Sequence, residues 1–157
     1  MVRRRTLLRN GREVTFEADD GASFLDVVRG PLGVLSAARG CRNGLCGACR
    51  VMVDGELTNA CLVTAADIAD GSDVKGFEDV ALEPASVAAV SAFTLERPTR
   101  CTLCIPALAV TAAALAIAPS GLTPARIEAT LETAACMCTG RGSLRRALEA
   151  AAAKTKP

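Results

Sequence analysis

Cys41-Arg42-Asn43-Gly44-Leu45-Cys46-Gly47-Ala48-Cys49-Arg50 (CRNGLCGACR) places three thiols and two glycines within nine positions. A fourth thiol, Cys61, follows after an Asp54-Gly55 turn signal. The spacing Cys-x4-Cys-x2-Cys with a later fourth cysteine is that of plant-type [2Fe–2S] ligation. A loop around anionic sulfur needs backbone N–H groups aimed inward, and glycine allows the chain to turn without a Cβ in the way. Gly40, Gly44 and Gly47 stand where such a loop needs them. The same spacing is poorly suited to a zinc finger.

Outward from this loop, the rest of the chain reads in two textures. Arg4 to Arg9, an Asn10-Gly11 turn and Arg12 to Glu17 predict a β-hairpin, Asn-Gly being the strongest short hairpin signal. Asp20, Gly21 and Ser23 open a short helix through Phe24, Leu25, Val27 and Val28, which Gly30-Pro31 ends. Arg50 to Val53 and Glu56 to Asn59 form a second hairpin around Asp54-Gly55, and a short strand is expected near Val74 to Phe77. From Pro84 on, the pattern becomes helical. Helices are expected over Ser86–Phe93, Pro106–Ala118, from the Thr123-Pro124 cap to about Ala135, and from a Ser143 cap to Ala152. The Ile127/Leu131 and Leu144/Leu148 stripes are read as bundle core. The fold class is therefore α+β, with residues 1–78 and 79–157 as two domains joined by a linker at Asp79 to Pro84.

Composition narrows the chemistry. Half of the 157 residues are hydrophobic, but the only aromatics are four phenylalanines, so alanine and leucine must fill the interior. A net charge of +1 gives no footprint for nucleic acid, and Arg3-Arg4-Arg5 with Arg9 and Arg12 is read as a solvated strand face. No secretory signal is visible and the most apolar stretch, 105–118, is too short for a bilayer, so a cytoplasmic protein is expected. In that compartment thiols stay reduced, which argues against disulfides. The chain contains no histidine, which excludes His-ligated metal, a His base and Ser-His or Cys-His nucleophiles. No Gly-x-Gly-x-x-Gly follows a strand, so no nucleotide or flavin site is expected, and Asp19-Asp20 reads as a loop before a helix.

The remaining cysteines form a second set: Cys101 and Cys104, then Cys136 and Cys138. One pair begins a helix and the other precedes one, where unpaired N–H groups and the positive dipole end stabilise thiolates. Taken alone, this set leaves a zinc site and a second cluster both open. Together the two sets use all eight cysteines as two four-ligand sites.

This arrangement resembles the small iron–sulfur subunit of the molybdenum hydroxylase (xanthine oxidase) family over nearly the whole chain. The motifs that carry the likeness are Gly40 to Cys49 with Val51, Val53, Asp54-Gly55 and Cys61, the 74–77 stretch, and Cys101-x2-Cys104, Pro106 and Cys136-x-Cys138-Thr139-Gly140. The resemblance implies a β-grasp, plant-type ferredoxin-like domain followed by a four-helix bundle domain, each with one [2Fe–2S] cluster. It implies an electron-transfer subunit of an oxidoreductase complex, with substrate chemistry on a large molybdopterin subunit. Electrons would pass from the cluster on Cys101, Cys104, Cys136 and Cys138 to that on Cys41, Cys46, Cys49 and Cys61. From there they would reach FAD on a further subunit, or another acceptor, in a heterotrimer or dimer of heterotrimers. Cys138 occupies the position that typically also contacts the pterin.

Departures from the family pattern crowd around the second set. Arg100 stands where Gln usually contacts the pterin, making it a candidate pterin contact of altered chemistry. Thr102, Ile105-Pro106-Ala107, Met137 and Arg141 replace the usual Gly, Thr-Pro-Gly, Arg and aromatic residue. They imply an altered pterin contact or an unusual large-subunit partner. A free-standing two-cluster carrier and a zinc-stabilised interaction module are the alternatives from other classes.

Overall fold

The computed structural model describes residues 1–41, 43–133 and 138–155. Strands β1 (Val2–Arg9) and β2 (Arg12–Asp19) pair antiparallel from Val2↔Asp19 to Arg9↔Arg12. Asn10 and Gly11 turn the chain with φ of 52° and 71°, the double positive φ of the tight turn that matches strand twist. Helix α1 (Phe24–Arg29) buries Phe24, Leu25, Val27 and Val28. Strands β3 (Arg50–Val53) and β4 (Glu56–Asn59) form the second hairpin, and β5 (Val74–Lys75) pairs with the other edge of β3. A parallel bridge, Leu8 to Asp73, and a Leu8 N–H donated to the Ser72 carbonyl at 2.9 Å tie β1 to the approach to β5.

Beyond β5 come α2 (Phe77–Val80), α3 (Val87–Leu95), α4 (Cys104–Ile117), α5 (Pro124–Thr133) and α6 (Arg141–Thr155). Helix α4 is buried almost all round, and its alanines let α3 and α6 pack closely against their common core. Ile127 and Leu131 from α5 and Leu144 and Leu148 from α6 join that core, as their spacing predicts. Among the described residues, no helix is long and apolar enough to cross a membrane.

Two hydrophobic clusters result. One gathers Leu7, α1, Val34, Val51, Val53 and Val74; the other gathers the helices, Val80 and Met52. Strand β3 is the wall between them. Successive side chains on a strand point to opposite faces, so Val51 and Val53 enter one core and Met52 the other.

Several expectations are corrected. Phe77 starts α2 rather than ending a strand, because the buried Asp79 carboxylate accepts the Gly76 N–H at 2.8 Å and begins a helical turn. The same carboxylate accepts from Asn10 Nδ2 at 2.7 Å and Arg9 Nε at 3.3 Å, so the expected linker starts as an anchored turn. The arginines of β1 are not a uniformly solvated face. Arg5 donates to the Ala65 carbonyl at 2.8 Å and to that of Ile68, and pairs with Asp70 at 2.8 Å. It thereby holds a 3-10 turn (Ala65–Asp67) that the sequence did not announce. Ser23 precedes α1 without capping it, its buried hydroxyl having no partner among the described residues. Ser143 lies inside the first turn of α6, which begins at Arg141. The expected extension of α5 to Ala135 falls outside the described residues.

Candidate functional site

The cysteine loop connects α1 to β3, and Cys61 follows β4, so the second hairpin fixes both ends of the first set. Cys49 is buried, while Cys41, Cys46 and Cys61 are half-buried. Sulfur atoms of Cys49 and Cys61 lie 3.2 Å apart. The Cys46 N–H points at Cys41 Sγ at 3.5 Å, and the Ala48 N–H at Cys46 Sγ at 3.4 Å.

Electrostatics separate these thiols. The Cys46 amide, the Cys46 thiol and the Asn43 and Gly44 amides hold Cys41 down to about 7. Burial pushes Cys61 up to about 11, with the Cys49 thiol and the charges of Cys49, Cys41 and Cys46 acting in the same direction. Burial also raises Cys46, against the Ala48 amide. Four sulfurs that repel one another's charge, with N–H donors turned on them, suit a group whose positive irons neutralise the thiolates. The donor set therefore fits a [2Fe–2S] cluster.

Two glycines make the loop possible. Gly44 has φ of 76°, and a Cβ there would fall 2.4 Å from Leu62 Cδ2. At Gly40 a Cβ would fall 2.9 Å from Cys46 Sγ, so the chain can approach that sulfur only without a side chain.

In the second set, Cys104 opens α4 and Cys101 lies one turn ahead, its carbonyl accepting the N–H groups of Cys104 and Ile105 at 3.2 Å each. The Cys104 thiol, the Cys104 and Leu103 amides and the Cys138 thiol lower Cys101. Thr99, only 6% exposed, donates its hydroxyl to the Cys138 carbonyl at 3.2 Å and accepts the Cys101 N–H at 3.0 Å. That clamp brings Cys101, Cys104 and Cys138 together. Cys136 and Met137 lie outside the described residues. Among the described residues, no three His, Cys, Asp or Glu side chains are gathered around a single-ion position.

Both sets open on one cleft of about 420 Å³, lined by Cys41, Cys46, Cys101, Cys104 and Cys138, with Leu45 and Leu103 at its margin. Arg100 is exposed immediately ahead of Cys101. Arg141 pairs with Glu132 at 2.6 Å, joining the end of α5 to the start of α6. Two residues of the site escaped the sequence reading. Thr99 was signalled only by a Thr two positions before a cysteine, the spacing of a side-chain turn. Arg50 was signalled by its place at the head of a strand; it donates to Asn59 Oδ1 at 3.1 Å and to Thr111 Oγ1 on α4 at 3.2 Å.

Comparison with known proteins adds independent findings. The 2Fe-2S iron-sulfur cluster binding domain family matches residues 7–74. The xanthine dehydrogenase iron-sulfur-binding subunit of Escherichia coli O157:H7 is 32% identical over 133 residues, covering 83% of this chain and 82% of that one. The aldehyde oxidoreductase of Megalodesulfovibrio gigas is 31% identical over 135 residues, and there the matched part is 15% of the longer protein. The solved aldehyde oxidoreductase of Desulfovibrio desulfuricans superimposes on 96% of this chain with a TM-score of 0.81 at 28% identity, using 17% of its own length.

Proposed function

This chain belongs to the [2Fe–2S] iron–sulfur subunits of the molybdenum hydroxylase family, and on that premise we propose that it relays electrons through two clusters. Cys41, Cys46, Cys49 and Cys61 would hold one, and Cys101, Cys104, Cys136 and Cys138 the other. The observation that carries this reading is the shared cleft, onto which Cys41 and Cys46 face from one side and Cys101, Cys104 and Cys138 from the other. Each cluster, when bound, takes up and passes on one electron at a time.

The protein's part is to hold and bias. Amides of Asn43, Gly44 and Cys46 stabilise negative charge at Cys41, and the Cys104 thiol with the Cys104 and Leu103 amides does so at Cys101. Leu45 and Leu103 flank the cleft with apolar side chains. Substrate oxidation belongs to a large molybdopterin subunit, and the electrons leave for FAD or another acceptor on a further subunit. Arg100, exposed beside Cys101, is the candidate contact to the pterin. The two halves, 1–78 and 79–157, are a β-grasp domain and a four-helix bundle domain. Supporting this are the two sheets, β1-β2 and β4-β3-β5, bridged in parallel between Leu8 and Asp73, and the packing of α3, α4, α5 and α6 on one core.

The test is EPR and iron analysis of the purified, reduced complex. Two distinct [2Fe–2S] signals, four irons per chain and a molybdenum signal from a co-purifying large subunit are expected. One cluster signal with two irons would overturn the second-site assignment. A colourless chain with stoichiometric zinc would overturn both.

A further inference from the structure

Arg50 shares its strand face with Met52, the face of β3 turned to the helices. Its guanidinium is held by two hydrogen bonds and packs over the cysteine loop. Nε donates to Asn59 on β4 at 3.1 Å, and Nη1 donates to Thr111 on α4 at 3.2 Å. Nη2 lies over Gly47 in the cysteine loop, where a Cβ would meet it at 3.1 Å. The fully buried Thr111 hydroxyl donates onward to the Ala107 carbonyl at 2.9 Å, so the anchor on α4 is itself oriented. Among the described residues, no carboxylate pairs with Arg50. A half-buried cation is thus set against the backbone of Gly47, between Cys46 and Cys49 of one cysteine set. Thr111 stands seven residues beyond Cys104, about 10 Å along the helix axis, so the second set lies further away.

We propose that Arg50 is a positioning residue for electron transfer, raising the reduction potential of the Cys41–Cys61 centre above that of the Cys101–Cys138 centre. This rests on the two-cluster reading above. Reduction adds one negative charge to a cage and moves no proton or bond. The electron comes from the other reduced cluster, or from dithionite in a titration. A fixed cation stabilises the reduced form of the nearer cage more than that of the farther one, and a surrounding of low polarity strengthens the effect. The electron is thereby drawn from the helical side to the loop side.

The experiment is an EPR-monitored redox titration of the intact complex carrying Arg50→Gln or Arg50→Lys. The two signals are assigned with Cys61→Ser and Cys104→Ser variants. Arg50→Gln is expected to weaken reduction of the loop centre about tenfold, equal to about 59 mV for one electron, and to move the helical centre less. Arg50→Lys, which keeps the charge, is expected to stay within threefold of the parent. Thr111→Val frees the guanidinium from α4 without removing it; a shift of the same sign of about threefold is expected, and this variant carries the test if Arg50→Gln does not fold. Unchanged potentials in Arg50→Gln, or in Thr111→Val where that variant alone folds, overturn the proposal. So does an equal shift of both centres. A parent complex with one cluster signal instead overturns the two-cluster reading, and the titration separates the two failures.

Discussion

Thr99→Val is the substitution that most directly tests how the second set is assembled. Valine matches threonine in shape, so no cavity opens and the change isolates the hydroxyl. That hydroxyl serves two backbone groups 37 positions apart in the chain, the Cys101 N–H at 3.0 Å and the Cys138 carbonyl at 3.2 Å. Each hydrogen bond is worth about 1 kcal/mol net, and a buried group left without a partner costs about 1–3 kcal/mol. Cys138 is exposed, so water can replace the bond to its carbonyl; the Cys101 amide, facing buried Thr99, is less easily served. The expected total is about 1–3 kcal/mol, concentrated on the two loops that carry the second set. In urea unfolding of the complex the midpoint should fall accordingly. Spin quantitation should show loss of the Cys101–Cys138 signal while the Cys41–Cys61 signal persists. Thr99→Ser keeps the hydroxyl and should restore both readouts. A Thr99→Val complex with full occupancy of both centres and an unshifted midpoint would refute the clamp.

Gly44→Ala should destabilise the cysteine loop by about 1–2 kcal/mol from its left-handed backbone alone. The clash with Leu62 adds to this, so Gly44→Ala with Leu62→Ala should recover only the clash component in the same urea assay. Glu78 sets a pH dependence. Burial pushes its carboxyl up, but hydrogen bonds from Ser36 (N–H at 2.9 Å, hydroxyl at 2.6 Å) and the charge of Arg9 bring it below its ordinary value. The stabilisation is therefore full above the ordinary carboxylate range and lost as pH falls through the lowered folded value. Glu78→Gln should flatten the stability profile on that acid limb in thermal melts, and an unchanged profile would sink the assignment. Arg141→Ala removes an ion pair whose partners are 58% and 70% exposed, so the urea midpoint is expected to stay where it is.

What the sequence made legible was whatever local chemistry dictates. Cysteine spacing groups the first four thiols, which lie near one another in the fold, and the Asn10-Gly11 and Asp54-Gly55 turns name the hairpins because both pairs take positive φ readily. The helical stripes at Ile127/Leu131 and Leu144/Leu148 are likewise periodic in the chain itself. The misses are long-range. Arg9 and Asn10 reach Asp79 across about seventy positions, and Arg5 reaches Ala65 and Ile68 across a similar distance. No window of neighbouring residues contains those partners, so the arginines read as solvent-facing and residues 79–84 as a bare connector. Arg50 is the same case at the site, because its meaning comes from Thr111, sixty-one positions later.

Strand β3 has a consequence for how the subunit matures. Val51 and Val53 complete one core while Met52, between them, completes the other. A one-residue slip of this four-residue strand would exchange both sets of side chains at once, turning Arg50 and Met52 inward toward α1 and the valines toward α4. Its register is held by β4 on one edge and β5 on the other. The same strand begins one residue after Cys49, so its register also fixes where the cysteine loop ends. A fragment cut between residues 78 and 79 would part α2 and leave Met52, on the far face of β3, without the helical core that buries it.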